Sequence, residues 1–138
     1  MSGFWDGYPQ IAMRLEEVRA AIRGRSSSDD SEVQASVSHL LESSGKMLRP
    51  AFVILASQFG TPVADRVNLI AAAVEMLHMA TLAHDDIIDD ASFRRGTATL
   101  HSARGPRTAV LVGDWLFASC FAMVADFASV ETPELSRG

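Results

Sequence analysis

The chain has 138 residues, of which 48% are hydrophobic, and this length predicts one globular domain that can bury a core without disulfide or metal cross-links. Twelve basic residues stand against seventeen acidic ones, and the net charge of −5 argues against nucleic acid as a partner. The sequence has neither the basic amino-terminal region of a secretory signal nor a second cysteine. We therefore expect a cytoplasmic protein that packs its single thiol, Cys120, in the core.

The mean hydropathy is slightly positive, at +0.13. The longest apolar stretches either fall short of the roughly 20 residues that a membrane helix needs or contain Glu75 and His78. The sequence thus predicts at most peripheral contact with a membrane. A small body of this hydropathy has more apolar surface than it can bury, which indicates a surface for a protein partner.

The first half of the chain is predicted to form amphipathic helices. Apolar residues recur at helical spacing over residues 11–22 and again over residues 33–41. Residues 24–31 form a polar loop between these helices, and its Ser and Asp residues can cap the second one. We expect Gly45 to end the second helix and Pro50 to lie in the first turn of a third.

The second half continues this helical pattern. Residues 61–91 begin with Thr-Pro, which is typical of a helix start, and contain no later Pro or Gly, so they are expected to form the longest helix. A polar loop over residues 94–105 precedes a last apolar helix over residues 106–128 and a tail over residues 129–138. No segment alternates with period two. The sequence predicts a single all-α domain over residues 1–138, folded as an antiparallel helical bundle.

Four aspartates lie at the end of the longest predicted helix, where the helix dipole disfavours carboxylates. Asp85 and Asp89 are four residues apart and therefore share one face, close enough to bind hard cations together through oxygen ligands. Magnesium suits this pair, because it takes one or two carboxylates and completes its shell with water and substrate phosphate. The alternative is that the aspartates are solvated or paired with Arg94 and Arg95.

The same predicted helix face carries further ionisable groups. Reading backwards from Asp89 at helical spacing gives Asp85, Leu82, His78 and Glu75. Buried charge is costly unless it is paired or bound, so we expect this stripe to line a polar cavity, with His78 facing the cavity and not the core.

Two basic pairs complement the carboxylates. Lys46 and Arg49 lie three residues apart at a predicted helix start, where backbone N–H groups and side-chain cations together favour an anion. Arg94 and Arg95 follow the aspartates in a predicted loop. Each pair alone is also compatible with a solvated surface. Together with the carboxylates, the two pairs predict a site for two phosphorylated ligands, one bridged by metal ions and one held by cations.

Three segments closely resemble the trans-isoprenyl diphosphate synthases, also called polyprenyl synthetases: GKMLRP, EMLHMATLAHDDIIDDASFRRGTATLH and AVLVGDWLF. They stand in the family's order and at its spacing over about residues 45–124. The D-D-x-x-D motif alone would not separate this family from terpene cyclases, but its combination with G-K-x-x-R-P and R-R-G does. The resemblance implies the first half of an isoprenoid-synthase-type fold and a magnesium-dependent prenyltransferase activity.

The resemblance also implies a role for each motif residue. Asp85 and Asp89, supported by Asp86, would coordinate magnesium ions that bridge the diphosphate of an allylic substrate, which Arg94 would also contact. The diphosphate of isopentenyl diphosphate would be held by Lys46, Arg49, His78 and Arg95. In the family's reaction, pyrophosphate leaves the allylic substrate, the isopentenyl double bond attacks the resulting carbocation, and a proton is lost.

Product length in this family is set by the side chains just before the first aspartate pair, where this sequence has Ala80 and Thr81. Neither is aromatic, so the resemblance favours long-chain products. Family members are longer than this chain and carry a second aspartate-rich motif. This sequence has no such motif, since Asp114 and Asp126 stand alone.

The missing motif predicts that the chain forms one wall of the cavity and works in a hetero- or homo-oligomer with a chain that carries the second motif. Three interpretations follow. The chain is half of a prenyltransferase, a non-catalytic regulatory or binding subunit of a heteromeric synthase, or a helical bundle that keeps the motifs without the chemistry. The intact Asp85 and Asp89 favour the first.

Overall fold

Residues 3–130 are described by a computed structural model, and most of them are helical. A short antiparallel hairpin pairs strand β1 (Phe93–Arg94) with strand β2 (Thr97–Ala98). The helices of this part are α1 (Pro9–Arg25), α2 (Ser31–Ser43), α3 (Leu48–Ser57), α4 (Ala64–Ile88), α5 (Leu100–Arg104) and α6 (Pro106–Val130). The predicted all-α class is confirmed, because the two strands have only two residues each.

The 25-residue helices α4 and α6 pack against each other in opposite directions. In the first half of α4, the Ala73 carbonyl oxygen lies 3.2 Å from Cys120 Sγ, and near its end His84 Nε2 lies 3.1 Å from the Val110 carbonyl oxygen. Early residues of α4 therefore meet late residues of α6. Gly113 permits this approach, because a Cβ atom there would collide with the His84 ring. Cys120 is buried, as predicted, and burial raises the pKa of its thiol.

The helices of the first half bury the faces that their periodicity predicts. Leu15, Val18 and Ile22 of α1 are buried, and α1 and α3 both pack on α4. Asp30 caps α2, since its carboxylate accepts two backbone N–H groups of the first turn at 2.8 and 3.2 Å. Pro50 lies in the first turn of α3, as expected.

Two predicted boundaries in this half are wrong. The polar loop predicted at residues 24–31 is shorter, because α1 continues through Arg25, where Arg23 and Arg25 suit the negative end of the helix dipole. The residue that caps the end of α2 is Ser44, not Gly45, and Gly45 does not adopt a left-handed conformation. Its role in the structure is a close contact, described below.

The second half also differs from the prediction in its boundaries. Helix α4 begins at Ala64 with Val63 in the cap position, and it ends at Ile88. The segment predicted as a loop at residues 94–105 contains the hairpin and α5, whose first turn is capped by the Thr99 hydroxyl. Helix α6 continues to Val130, since the apolar run is not interrupted, so only residues 131–138 of the predicted tail remain, and they lie outside the described residues.

Helices α4 and α6 leave apolar side chains uncovered. Both are long and apolar enough to cross a membrane by length and composition alone, and the chain buries 50% of the most apolar window of α4 and 33% of that of α6. We use the name α4/α6 surface for four of their exposed large apolar residues, namely Leu77, Ile88, Leu111 and Phe121. Phe121 is 66% exposed and Ile88 is 79% exposed, which is unusual for side chains of this size.

Candidate functional site

A cavity of about 430 Å³ lies between the α2–α3 loop, α4 and the β1–β2 hairpin. All five residues that the sequence predicts as ligand-binding line it, namely Lys46, Arg49, His78, Arg94 and Arg95. The fold thus brings both basic pairs to one place although they are far apart in the sequence. A cavity of this kind attracts an anion with several oxygen atoms.

The α4 wall of this cavity differs in one respect from the predicted stripe. Glu75, His78 and Leu82 line the cavity as expected, but the next residue of the wall is Asp86. Asp85 and Asp89 are both exposed, and neither lines the cavity. The reason is geometric: eleven residues make about three helical turns, so Asp86 stands above Glu75, whereas Asp85 is rotated about 80° away.

Asp86 holds Arg94 at the edge of the cavity. The carboxylate is 5% exposed, and its Oδ1 accepts hydrogen bonds from Arg94 Nε at 3.1 Å and from Nη2 at 2.5 Å. The hydrogen bond to Asp86 raises the pKa of Arg94, which keeps the guanidinium charged. The Asp86 oxygens are thereby engaged, and this leaves Asp85 and Asp89 as the better candidates for metal ligands.

The side-chain carboxylates of Asp85 and Asp89 form neither a hydrogen bond nor an ion pair with any other described residue. Nor does any group of three or more His, Cys, Asp and Glu side chains within residues 3–130 form a metal site. Two free carboxylates one turn apart do fit magnesium where water and phosphate oxygens complete its shell. The chain therefore offers part of a metal site that a phosphorylated ligand would complete.

Backbone strain occurs at two residues of the cavity lining, Met47 and Arg95. Among the described residues other than glycine, three have positive φ angles: Met47 at 55°, Asp90 at 49° and Arg95 at 51°. A left-handed conformation costs about 1–2 kcal/mol for a residue with a Cβ atom. Such strain persists only where surrounding contacts impose it, and it is typical of ligand-binding segments.

Gly45 brings the two basic pairs together. A Cβ atom at this position would collide with the guanidinium of Arg95, so only glycine lets Arg95 lie against the loop that carries Lys46. The first residue of the GKMLRP segment is therefore needed for a close contact between the loop and the hairpin.

Two ionisable groups of the wall have perturbed pKa values. Burial raises the pKa of Glu75, an effect that Arg49, Arg19 and Arg95 partly offset. Burial lowers the pKa of His78, and the nearby positive charge of Arg49 lowers it further. A neutral His78 at neutral pH can donate one hydrogen bond to a ligand.

Sequence reasoning missed two contributors to the cavity. His39 of α2 lines it, and its Nε2 lies 2.9 Å from the Ala98 carbonyl oxygen of the hairpin, 59 positions away in the sequence. The aromatic residues before α1 contact the loop at Lys46. Neither contact leaves a signal in spacing or periodicity, because both depend on how distant segments meet.

A family model for the polyprenyl synthetases matches residues 30–137, which is more than half of the chain. The chain therefore belongs to the polyprenyl synthetase family. This finding confirms the family that the three sequence segments indicated, and the solved structures that the chain resembles confirm the isoprenoid-synthase fold.

Particular relatives specify this kinship. Component 2 of the heptaprenyl diphosphate synthase of Geobacillus stearothermophilus is 44% identical over 91 residues, which are 66% of this chain and 28% of that protein. Heptaprenyl diphosphate synthase from Staphylococcus aureus superposes with a TM-score of 0.79 at 38% identity, over 83% of this chain and 37% of that one. Polyprenyl synthase from Caulobacter crescentus CB15, complexed with calcium and isoprenyl diphosphate, superposes with a TM-score of 0.80 at 36% identity. The match covers 86% of this chain and 36% of that one. The chain spans less than two fifths of the length of these relatives.

Proposed function

We propose that the chain supplies one half of a magnesium-dependent prenyltransferase that condenses isopentenyl diphosphate with an allylic diphosphate. The observation that carries this proposal is the collection of four cationic side chains and one imidazole in a single cavity, beside two unpaired carboxylates. Cations can hold one diphosphate directly, and carboxylates can hold the metal ions that bind a second. The similarity to heptaprenyl diphosphate synthases supports this substrate class.

In this proposal the diphosphate of isopentenyl diphosphate binds on the side of the α2–α3 loop. Lys46 offers an ammonium group, and Arg49 and Arg95 offer planar guanidinium groups that can each bind two phosphate oxygens. His78, kept neutral by burial and by the neighbouring positive charges, donates a further hydrogen bond.

The allylic diphosphate is proposed to bind beside the carboxylates. Asp85 and Asp89 would hold the magnesium ions there, and bound magnesium would stabilise the negative charge of the departing pyrophosphate. Arg94, fixed by Asp86, stays charged and would contact the same diphosphate from the hairpin.

The reaction itself needs no side-chain nucleophile. The allylic C–O bond breaks and its electron pair leaves with pyrophosphate, the isopentenyl double bond then forms the new C–C bond, and loss of a proton restores a double bond. Arg94, which Asp86 holds in place, would stabilise the charge that develops on the leaving group without having to reorganise.

We further propose long-chain products. Ala80 is fully buried and Thr81 is exposed, and neither brings a ring that would close the space beside α4. The heptaprenyl diphosphate synthases among the relatives support this preference.

The other half of the site is proposed to come from a polypeptide with a second aspartate-rich motif, joined as a hetero- or homo-oligomer. The α4/α6 surface supports this, because exposed apolar side chains of this size are stabilised when a partner covers them. We place the assembly in the cytoplasm, in agreement with the buried free thiol of Cys120.

A test compares Asp85→Asn with Asp90→Asn in the enzyme assembled with such a polypeptide. Both variants remove one charge from the same cluster, and asparagine suits the left-handed backbone of residue 90, where φ is 49°. We expect Asp85→Asn to lower magnesium-dependent incorporation of isopentenyl diphosphate about 100-fold. Asp90→Asn should remain within about threefold of the wild type, because Asp90 is exposed and is not one of the proposed magnesium ligands.

The outcome also separates the enzyme from a regulatory subunit. The name of the Geobacillus relative, a component 2, indicates a synthase with more than one component and makes a regulatory role the second candidate. If Asp85→Asn leaves incorporation unchanged, the chemistry takes place on the other chain and this chain regulates or binds.

A further inference from the structure

Three aromatic side chains before and at the start of α1 form a cluster, and we name Phe4, Trp5 and Tyr8 the aromatic segment. The rings of Phe4 and Trp5 meet edge to face with centroids 5.0 Å apart, and those of Trp5 and Tyr8 are 6.3 Å apart. Edge-to-face pairs of this kind hold each other in place. The aromatic segment is therefore an ordered surface against which another segment can pack.

Two contacts of this cluster end on the same residue. Trp5 Nε1 donates a hydrogen bond to the Lys46 carbonyl oxygen at 2.6 Å, and Lys46 Nζ lies 4.7 Å from the centroid of the Phe4 ring. The first contact fixes the backbone of Lys46, and the second fixes its ammonium group through a cation–π interaction. The backbone carbonyl and the ammonium group of Lys46 are thus both held by residues that do not line the cavity.

The backbone contact acts at a strained position. The Lys46 carbonyl belongs to the peptide group before Met47, which has a φ of 55°. Met47 is 3% exposed, so its buried side chain holds one residue of the strained turn. The hydrogen bond from Trp5 holds the carbonyl of the preceding residue, Lys46. A left-handed residue with a Cβ atom persists only where such contacts impose it.

We propose that Phe4 and Trp5 are positioning residues of the diphosphate site, which hold Lys46 in the orientation that binds an anion. This inference rests on the proposed function, since it takes Lys46 as a ligand of a diphosphate. A ring contacts only one side of an ammonium group, so N–H donors remain free for phosphate oxygens. Because the long side chain is already held before the anion binds, less conformational entropy is lost on binding.

The test titrates inorganic pyrophosphate into the full chain in the presence of a chelator, so that only the basic side chains bind it. Trp5→Phe removes the indole N–H and keeps a ring, and Phe4→Leu removes the cation–π contact and keeps an apolar side chain. We expect each variant to weaken pyrophosphate affinity about 3- to 10-fold, the size of one lost hydrogen bond or cation–π contact.

Trp115→Phe is the matched control. Trp115 also donates its indole N–H to a backbone carbonyl, that of Ser26 at 2.9 Å, but it does not line the cavity. Its variant should bind pyrophosphate within about twofold of the wild type, even where thermal stability falls. The chain contains two tryptophans, so Trp115→Phe also leaves Trp5 as the sole fluorescent indole, whose emission should change as pyrophosphate binds.

A second background shows whether the effect passes through Lys46. Lys46→Met itself lowers the affinity for pyrophosphate. When Trp5→Phe is added to this variant, the affinity should fall by less than a further factor of about two, because the side chain that Trp5 positions is gone. An equal loss in both backgrounds would show a general structural role and overturn the inference. So would wild-type affinity in both Trp5→Phe and Phe4→Leu. If the wild-type chain does not bind pyrophosphate at all, the diphosphate site fails, and with it the proposed function.

Discussion

Glu75 places a carboxylate inside a cavity that is lined by four cationic side chains. It is 4% exposed, and it forms no hydrogen bond or ion pair with another residue in the described part of the chain. Arg49 and Arg95 of the cavity lining and Arg19 of α1 favour its ionised form, whereas burial has the larger opposite effect and raises its pKa. When it is protonated, the cavity carries one more net positive charge and attracts a diphosphate more strongly.

Glu75→Gln should make the stability of the chain less sensitive to pH. A carboxyl group with a raised pKa in the folded state is neutral in both states at low pH, and it destabilises the fold once the pH rises through that pKa. We therefore expect the variant to have the same free energy of unfolding as the wild type near about pH 4. At higher pH its free energy of unfolding should be larger, by about 1.4 kcal/mol for each unit by which burial raises the pKa of Glu75. Urea denaturation of both proteins at a series of pH values measures the difference in their free energies of unfolding.

Glu42→Gln, which changes an exposed glutamate of α2, serves as the control and should shift the free energy of unfolding by less than about 0.5 kcal/mol at every pH. A Glu75→Gln difference that stays constant with pH would show that burial does not perturb this carboxyl group.

At the scale of elements, the end of α4 that precedes the aspartates packs closely against α6. The His84 ring fills the space above Gly113, and its centroid lies 5.5 Å from that of the Phe117 ring. This contact sits one residue before Asp85, so the position of α6 supports the end of α4 that carries the aspartates.

Gly113→Ala should displace the His84 ring from its place against α6. The added Cβ meets the His84 ring, and we expect the free energy of unfolding to fall by about 1–3 kcal/mol, as for other overpacked contacts. Gly24→Ala in α1 is the matched control, because nothing lies within 4 Å of its Cβ position. It should be neutral or stabilising by up to about 1 kcal/mol, the ordinary gain in a helix. Equal effects of both changes would contradict the close packing.

The sequence predicts elements well where a pattern repeats over several turns. The apolar spacing of α1 indicated Leu15, Val18 and Ile22, which are buried. It could not indicate the β1–β2 hairpin, because strands of two residues are too short to show alternation. It also favoured Asp85 over Asp86 for the cavity wall, because a small rotation of the helix decides between neighbours and only packing fixes that rotation.

At the scale of the whole molecule, two features agree with the proposed second half: the exposed apolar surface, and the small share of its relatives' length that the chain covers. The chain covers 28% of the Geobacillus protein and 37% of the Staphylococcus aureus one. The α4/α6 surface includes Leu77 and Ile88 of α4, the helix that carries Asp85 and is capped by Asp89. The partner that we propose would therefore contact the helix that carries both aspartates. The resemblance of three segments predicted the family and placed Lys46 and Arg95 at one diphosphate, whereas the contact of Trp5 with Lys46 required the folded chain.

The most direct test of one half of a prenyltransferase is a complementation assay with labelled isopentenyl diphosphate, an allylic diphosphate and magnesium. Three samples are compared: this chain, a polypeptide with a second D-D-x-x-D motif, and the two together. We expect elongated product only from the mixture, with Phe121→Asp on the α4/α6 surface preventing it by blocking association. Elongation by this chain alone would contradict the need for a second half, and a mixture that forms a complex without product would contradict the enzyme.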